Sequence, residues 1–261
     1  MRSWLIVPMA ALFATSAAHA SGPEAGRFSM SILGGIDTPL NGDVHDGAVA
    51  PVPDLGPLNP ALAGVNAELR IQPRGHDRIY DQASTVGLEF AYGFSDRSEM
   101  FGQVRQTRAS EGRLMVGEAY VPALQAGLPV YGTFERYEAL SAEVGYRYFF
   151  GTPGSARPFV GGRIGATRTD DIRATFEIPD GGITIPDAAF YEAGWVASGG
   201  LDIGVIMPVS DTFSVTLSSG VRYTSDLKDD DSAIGGLGLA RINDTGSRLS
   251  WPLALSARWD F

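Results

Sequence analysis

The sequence predicts an all-β fold: an eight-stranded antiparallel up-and-down transmembrane β-barrel with long extracellular loops and short periplasmic turns. Three observations predict it. Eight segments alternate between apolar and polar residues, short and long connections alternate between those segments, and the polar faces combine small residues with isolated charges. Together these features are typical of barrels that cross a membrane with strands.

The eight segments have the two-residue period of a β-strand. In the clearest of them, Val86, Leu88 and Phe90 fall on one face, and Gly87 and Glu89 fall on the other. The third segment is the weakest, because either of its faces can be regarded as apolar. The predicted strands cover residues 27–35, 84–94, 99–107, 140–150, 157–167, 197–207, 212–224 and 250–261.

Short and long connections alternate strictly between these strands. Three links, SDRS, GTPGSA and PVSD, are short and rich in turn-forming residues, as hairpin turns are. With eight strands, this alternation places all the short turns and both termini at one rim of the barrel. The long connections, polar or rich in Gly, Pro and Asp, cover roughly residues 36–83, 109–138, 169–194 and 225–247.

The composition of the two faces indicates which one meets lipid. Gly, Ser, Ala and Thr dominate the polar faces, whereas a water-facing surface carries many lysines, and this chain has only Lys228. A soluble β-sandwich or lipocalin-like barrel with its apolar face inside is the alternative. Aromatic residues form the two bands expected at membrane interfaces: Phe94, Phe150, Phe213, Trp259 and Phe261 at the short-turn rim, and Tyr223 and Trp251 at the other.

Isolated charges on the polar faces predict a lumen closed by ion pairs. An acid and a base lie nearly opposite or diagonal to each other in three hairpins: Glu89 with Arg105, Glu143 with Arg163, and Asp202 with Arg222. Such pairs suit the narrow interior of an eight-stranded barrel, which side chains can fill. The predicted lumen charges are Glu89, Arg105, Glu143, Arg147, Arg163, Asp202, Arg222 and Arg258.

Composition and the N-terminal residues restrict the function further. The formal net charge of −10 argues against nucleic-acid binding, and the absence of cysteine excludes disulfides. Arg2, an apolar stretch up to Phe13 and the sequence Ala18-His19-Ala20 are typical of a secretory signal peptide. We therefore expect a signal peptide over residues 1–20 and a barrel domain over residues 21–261. No later stretch reaches 18 apolar residues, so no transmembrane helix is expected.

Histidine is scarce, which limits acid–base and nucleophilic catalysis. Beyond the predicted signal peptide the chain has His45 and His76, both in the first long connection. A site made of His76, Asp77 and Ser84 matches no motif, and no predicted strand holds these groups together as nucleophilic catalysis requires. We expect two water-exposed loop histidines, no catalytic residue and no enzyme activity.

Acidic residues cluster in two of the long connections. An EF-hand that begins at Asp226 fails, because Asp231 stands where Gly is needed and Leu237 where Glu is needed. We expect no metal site and no cofactor. A diffuse attraction of divalent cations that bridge to lipopolysaccharide phosphates is the alternative. The clustered residues are Asp43, His45, Asp46 and Asp77 in the first connection, and Asp226, Asp229, Asp230 and Asp231 in the fourth.

The last strand carries a specific resemblance. Leu253, Leu255, Trp259 and Phe261 alternate along SWPLALSARWDF, which ends in Phe. In this feature, and in architecture over residues 27–261, the chain resembles the small eight-stranded outer-membrane β-barrels, such as the transmembrane barrel of outer membrane protein A. The resemblance implies export to a Gram-negative periplasm and insertion into the outer membrane by the assembly machinery, which reads the terminal residues. We expect no peptidoglycan-binding domain, because the sequence ends with this strand.

These observations support three functional hypotheses. The first is a structural or surface-interaction barrel whose salt-bridged lumen is filled by side chains. The second is a narrow porin-like channel for small solutes, and the third is a lipid-modifying enzyme. In each case the expected partners are outer-membrane lipid, lipopolysaccharide and the assembly machinery, while any extracellular ligand stays unidentified.

Deleting Phe261 tests the predicted assembly signal. Because the resemblance implies that the terminal aromatic ring is read during insertion, we expect the truncated chain to reach the outer membrane in reduced amounts. Membrane fractionation, with electrophoresis before and after boiling, measures this, since closed barrels resist SDS. Phe261→Tyr, which keeps an aromatic end, is the control. Normal assembly of the truncated chain would contradict the predicted role.

Overall fold

The computed structural model describes residues 22–80 and 82–261; the predicted signal peptide lies outside them. In the described part, no helix has the length and apolar character needed to span a bilayer. One α-helix, α1 (His76–Ile79), is present there, with 3-10 turns at Pro60–Leu62, Pro122–Leu124, Pro179–Gly181 and Gly235–Leu237. The described strands are β1 (Phe28–Asn41), β2 (Asp43–His45), β3 (Ala48–Val52), β4 (Ala67–Ile71), β5 (Arg74–Gly75), β6 (Ala83–Ser95), β7 (Ser98–Ala109), β8 (Gly112–Val121), β9 (Ala126–Phe134), β10 (Tyr137–Phe149), β11 (Arg157–Thr169), β12 (Ile172–Ile178), β13 (Ile183–Glu192), β14 (Gly194–Pro208), β15 (Phe213–Thr224), β16 (Lys228–Asp229) and β17 (Arg248–Asp260).

Eight of these strands close into an antiparallel barrel, which confirms the predicted fold class. Around the ring the order is β1, β17, β15, β14, β11, β10, β7 and β6, and β6 returns to β1. Each barrel strand contains most of one predicted strand and usually extends it at the long-loop end. The strands have 12 to 15 residues, more than the roughly 9–11 that cross a bilayer. They therefore continue beyond the hydrocarbon layer.

The outer surface of the barrel is an apolar belt. Ile164 and Leu201, near the middle of their strands, are 73% and 71% exposed. The ambiguous third strand is also settled, since Met100 and Val104 face outward and Phe101 is buried. Exposed aromatic rings stand near both ends of the barrel. Among them are Phe28, Phe94, Phe150 and Phe261 at the short-turn end, and Trp195, Tyr223 and Trp251 at the long-loop end.

The long connections fold together, whereas the sequence predicted polar loops. Residues 42–80, 110–136, 170–193 and 225–247 form what we call the loop domain. It contains a seven-stranded sheet with the order β16, β13, β12, β9, β8, β4 and β3, and a small β2–β5 sheet. Its extended apolar core includes Phe134, Ile172 and Phe190. The short strands alternate like the barrel strands, but Gly, Pro and Asp between them obscure the pattern.

Tyr80 of the loop domain packs against Tyr137 at the start of β10, with ring centres 6.1 Å apart, and each of these tyrosines makes a further hydrogen bond at the mouth of the barrel. The buried Tyr80, which follows α1, donates its hydroxyl to the carbonyl of Glu135, at 3.0 Å. Arg248 at the start of β17 donates to the hydroxyl of Tyr137 at the start of β10. Because β10 and β17 lie opposite each other in the ring, this second bond spans the mouth.

Leu201→Arg tests whether the apolar belt faces lipid. An arginine at the bilayer midplane costs about 2–4 kcal/mol, so we expect the free energy of unfolding to fall by that amount. Urea titration of the protein in lipid vesicles measures the change. Val49→Arg is the matched control, because Val49 is 67% exposed but lies on β3 of the loop domain, away from the belt. Equal effects of the two substitutions would contradict a lipid-facing belt.

Candidate functional site: a charge network in the barrel lumen

The lumen is filled by charged side chains that alternate with the lipid-facing residues. Ten of them come from seven of the eight barrel strands and are at most 8% exposed, and the buried Asp37 of β1 lies nearer the long-loop end. Small residues beside them leave the long arginine and glutamate side chains room to cross the interior. These buried groups are Glu89, Glu99, Arg105, Glu143, Arg147, Arg163, Asp202, Arg222, Arg258 and Asp260.

One cluster lies toward the short-turn end and joins three parts of the ring. Arg147 binds both carboxylate oxygens of Glu89, and one of these bonds is 2.6 Å long. Its Nη1 is also 3.1 Å from Oε1 of Glu99. The other oxygen of Glu99 accepts from Nη1 of Arg258 at 2.7 Å, and Nε of Arg258 donates to Asp260 at 2.8 Å. We call this group the lower cluster.

A second group, the upper cluster, centres on Arg163. Nε and Nη2 of Arg163 both donate to Oδ2 of Asp202, and the Nε bond is 2.8 Å long. Nη1 of Arg163 donates to Oε1 of Gln103 at 2.6 Å. Glu143 Oε2 lies 3.5 Å from Arg163. Arg222 completes the cluster, with its Nη2 at 3.4 Å from Asp202 and its Nη1 at 3.9 Å from Glu143.

Gln103 joins the two clusters into one network. Its Nε2 donates to Glu89 at 3.0 Å, while its carbonyl oxygen accepts from Arg163. Several contacts connect strands that are not neighbours in the sheet. Glu99 on β7 and Arg258 on β17 are three strands apart around the ring, as are Glu143 on β10 and Arg222 on β15. The network therefore ties opposite walls of the barrel together.

Aromatic rings complete the filling of the lumen. The guanidinium carbon of Arg147 lies 3.9 Å from the centre of the Phe101 ring, in a cation–π contact. Two glycines make room for the rings. A Cβ at Gly145 would lie 2.3 Å from the Phe101 ring, and one at Gly204 would lie 2.5 Å from the Phe159 ring. Alanine at either position would force the ring to move.

Two of the three predicted acid–base pairs are brought together, and the third is not. Glu143 lies close to Arg163, and Asp202 lies close to Arg222. The pairing of Glu89 with Arg105 is wrong, because Glu89 lies opposite Gln103 in the β6–β7 register, and Arg105 lies two residues further along. Glu89 instead reaches past β7 to the arginine of β10.

Sequence reasoning missed several members of the site. Glu99 is wholly buried at the centre of the lower cluster, and Gln103 links the clusters, but the face of their strand could not be chosen from the pattern. Arg157 is also wholly buried at the short-turn end, where it donates to the carbonyl of Asp96. It stands six residues before Arg163, so the two-residue period of their strand could have placed it on the same, lumen-facing side.

A polar chamber lies between the network and the loop domain. Its volume is about 60 Å³, and its wall includes Asp37, Tyr137 and Arg248. A smaller void of about 30 Å³ lies within the network, and the two voids share Arg105 and Arg222 in their walls. In the described chain, Nε of each of these two arginines has no hydrogen-bond partner.

The two histidines are buried, which corrects the prediction that they are exposed to water. His45 is 2% exposed and His76 is 6% exposed. Burial lowers the pKa of both imidazoles, and it holds the pKa of His76 well below its usual value, with a smaller contribution from the Arg248 charge. Ser84 lies on the exposed side of β6, where its hydroxyl donates to the carbonyl of Arg108. Ser84 and His76 are therefore not arranged as a nucleophile and its base.

The acidic clusters form no evident metal site. Within residues 22–80 and 82–261, no group of three or more His, Asp or Glu side chains is arranged to hold a metal ion. In the first connection, His45 is enclosed by Phe134 and Phe190, while Asp77 pairs with Arg78 at 3.7 Å.

The closed eight-stranded barrel and its apolar belt define an integral outer-membrane β-barrel.

No protein-family model and no curated protein matches the chain. Among solved structures, Ail of Yersinia pestis is 15% identical, with 91% of this chain and 100% of that chain covered and a TM-score of 0.41. OprG of Pseudomonas aeruginosa is 15% identical, with 92% of this chain and 98% of that chain covered and a TM-score of 0.34. The protease OmpT of Escherichia coli is 9% identical, with 90% and 97% covered and a TM-score of 0.33.

Arg163→Met tests the network. Removing this cation leaves Glu143 and Asp202 in the lumen without their nearest positive charge, and breaking a buried ion pair from one side costs about 3–5 kcal/mol. We expect the free energy of unfolding, measured by urea titration, to fall by that amount. Arg136→Met is the control, because Arg136 is 74% exposed, lies 3.6 Å from Glu138 and should contribute less than about 1 kcal/mol. Equal stability of the two variants would contradict a stabilising network.

Proposed function

We propose that the protein is a structural or surface-interaction barrel, in which a closed lumen anchors the loop domain at the cell surface. The observation that carries this proposal is the ion-pair network across the lumen. Its contacts join strands up to three positions apart around the ring, so that opposite walls are held at a fixed distance. A rigid cylinder of this kind supports a large folded domain at its mouth.

Contact with lipopolysaccharide is part of the proposal. Arg108 and Arg168 stand on outward-facing positions at the long-loop ends of β7 and β11, just above the apolar belt. Arg168 lies opposite Trp195 in the sheet, and Trp195 is 60% exposed. An arginine beside an interfacial aromatic ring suits a phosphate-bearing lipid, because guanidinium binds phosphate oxygens and the ring occupies the headgroup level.

A narrow channel is the second candidate function. The chamber and the smaller void favour it, since they lie one above the other along the lumen and share Arg105 and Arg222. A channel would require these side chains to move apart. Arg222 is also held by Asp202 at 3.4 Å and Glu143 at 3.9 Å, which favours the closed barrel.

We further propose that the protein is not an enzyme. This is supported by the burial of His45 and His76, since neither imidazole lies beside an exposed nucleophile such as Ser84. It is also supported by the outward position of Ser84 on β6. A lipid-modifying hydrolase would need a base beside its nucleophile.

Planar-bilayer recordings of the purified protein test the closed lumen. Because the network spans the interior, we expect no stable single-channel steps from the native protein. Arg136→Ala, outside the lumen, should give the same result, and a known porin shows that insertion succeeded. Native steps whose size changes in Glu143→Ala or Arg163→Ala would contradict the closed barrel and establish the channel.

A further inference from the structure

The floor of the polar chamber contains two arginines whose positive charges are not fully paired. Arg105 on β7 and Arg222 on β15 are each 7% exposed, and both line the chamber. Because β7 and β15 are four positions apart in the eight-stranded ring, the two side chains approach the chamber from opposite walls. Two buried cations that face the same small space repel each other, and burial makes it costly to leave them without a negative partner.

Arg105 finds no acidic partner. Within residues 22–80 and 82–261 its guanidinium makes no ion pair and no hydrogen bond, and its Nε is buried. Its neighbours across the sheet are Gly87 on β6 and Ser141 on β10, and neither carries a charge. A guanidinium has several N–H donors and no acceptor, so these donors are free to bind an anion that the chain does not supply.

Arg222 is only partly neutralised. Its Nη2 lies 3.4 Å from Asp202 and its Nη1 lies 3.9 Å from Glu143, while Nε and Nη1 have no hydrogen-bond partner in the described chain. Arg163 contacts the same two carboxylates, at 3.5 Å from Glu143 and through a 2.8 Å bond from its Nε to Asp202. With Arg105, three arginines share two carboxylates here, which leaves one positive charge in excess.

The other buried charges do not remove this excess. Asp37 lies toward the mouth, level with the start of β6, and Arg248 provides an opposite charge in the same wall. His76 also lines the chamber, and its lowered pKa keeps its imidazole neutral. At the short-turn end, the lower cluster has one acid more than it has bases, but the buried Arg157 interacts electrostatically with Glu99 of that cluster. The unbalanced charge therefore stays at the floor of the chamber.

The chamber has room for a small anion and hydroxyl groups that can donate to it. Its volume of about 60 Å³ is the space of about four waters, since one water needs roughly 10–15 Å³ on this measure. The hydroxyl oxygens of Ser141 and Thr167 in its wall are 2.8 Å apart. Only one of them can donate to the other, so one hydroxyl proton is left for a ligand. A halide ion is little larger than a water molecule and fits this space.

The chamber reaches the protein surface beside the seam between β1 and β17. Asn41, at the end of β1, lines the chamber and is exposed, and the nearby wall residues Pro39 and Leu249 are half-buried. The register of β1 against β17 shifts between Pro39 and Asn41, so the pairing is irregular at this edge. A single ion can enter here, or it can be enclosed while the chain folds, and neither route requires the lumen to open.

We propose that one chloride ion binds at the floor of the chamber, between the guanidinium groups of Arg105 and Arg222. The ion supplies the negative charge that the surrounding side chains lack, and it accepts hydrogen bonds from N–H groups that have no partner in the chain. A monovalent anion is favoured over sulfate, because the excess is a single positive charge. This proposal goes beyond the surface-interaction role and does not depend on what the loop domain binds.

Urea unfolding of the full chain, refolded into lipid vesicles, tests the proposal. Sodium chloride is exchanged for sodium gluconate at constant ionic strength, because gluconate is too large for the chamber. Above the dissociation constant, each tenfold rise in chloride should raise the free energy of unfolding of the native protein by about 1.4 kcal/mol, as one bound ion requires. Arg105→Met should lose this dependence. Arg136→Met, which changes an exposed arginine of the loop domain, should keep it.

A built-in carboxylate provides a second test of the same site. Ser141 stands directly opposite Arg105 in the β7–β10 register, so Ser141→Asp would place a negative charge beside this guanidinium. We expect Ser141→Asp to be at least as stable as the native protein in gluconate and to show no response to chloride. A chloride response equal to that of the native protein would contradict the proposal.

Crystals grown in sodium bromide locate the ion, because bromide scatters X-rays anomalously and resembles chloride in size and charge. We expect one anomalous peak within hydrogen-bond distance of both Arg105 and Arg222 in the native protein, and no peak there in Arg105→Met. The proposal is overturned if the native protein is equally stable in chloride and gluconate, if folded Arg105→Met responds to chloride as the native protein does, or if no bromide lies between the two arginines.

Discussion

The structure depends on one constraint: an eight-stranded barrel is too narrow to be left empty, and charges inside it must be neutralised by each other. Bulk water is excluded from the lumen, so an unpaired carboxylate or guanidinium would carry a large desolvation penalty. The chain meets this constraint by distributing acids and bases over seven strands. Gln103, which is neutral, both donates and accepts, and therefore connects two clusters that would otherwise be separate.

The same constraint explains the residues that carry no charge. Glycines at 145 and 204 leave space for the Phe101 and Phe159 rings, and these rings pack against guanidinium groups rather than against lipid. On the outer surface the requirement is reversed, and apolar side chains meet hydrocarbon. Alternate residues of each strand therefore face the lumen and the lipid, which is why the two-residue period is so clear in this sequence. The loop domain shows the same alternation in water, where its apolar side chains pack inward into a core.

The barrel could be predicted because a two-residue period is a local property of each strand. The face of β7 could not, since Met100 and Phe101 are both apolar and only the closed ring shows which of them points inward. The partners of Glu89 also depend on register and on contacts across the lumen, neither of which is encoded within one hairpin. The loop domain was missed for another reason. β3, β4 and β12 have only five to seven residues, and the longer β8, β9 and β13 contain Gly, Pro or Asp, which interrupt the alternation.

The seam at which the barrel closes has a distinct chemical character. β1 contributes Ser29, Ser31 and Leu33 to the lumen at the level of the network, where every other barrel strand contributes a charged side chain. Arg258, the charged neighbour on β17, finds its carboxylates on its own strand and on β7. The first and last strands can therefore join without an ion pair between them. The Arg258–Glu99 pair nevertheless passes over this seam from β17 to β7, so these two charges can neutralise each other only once the cylinder has closed.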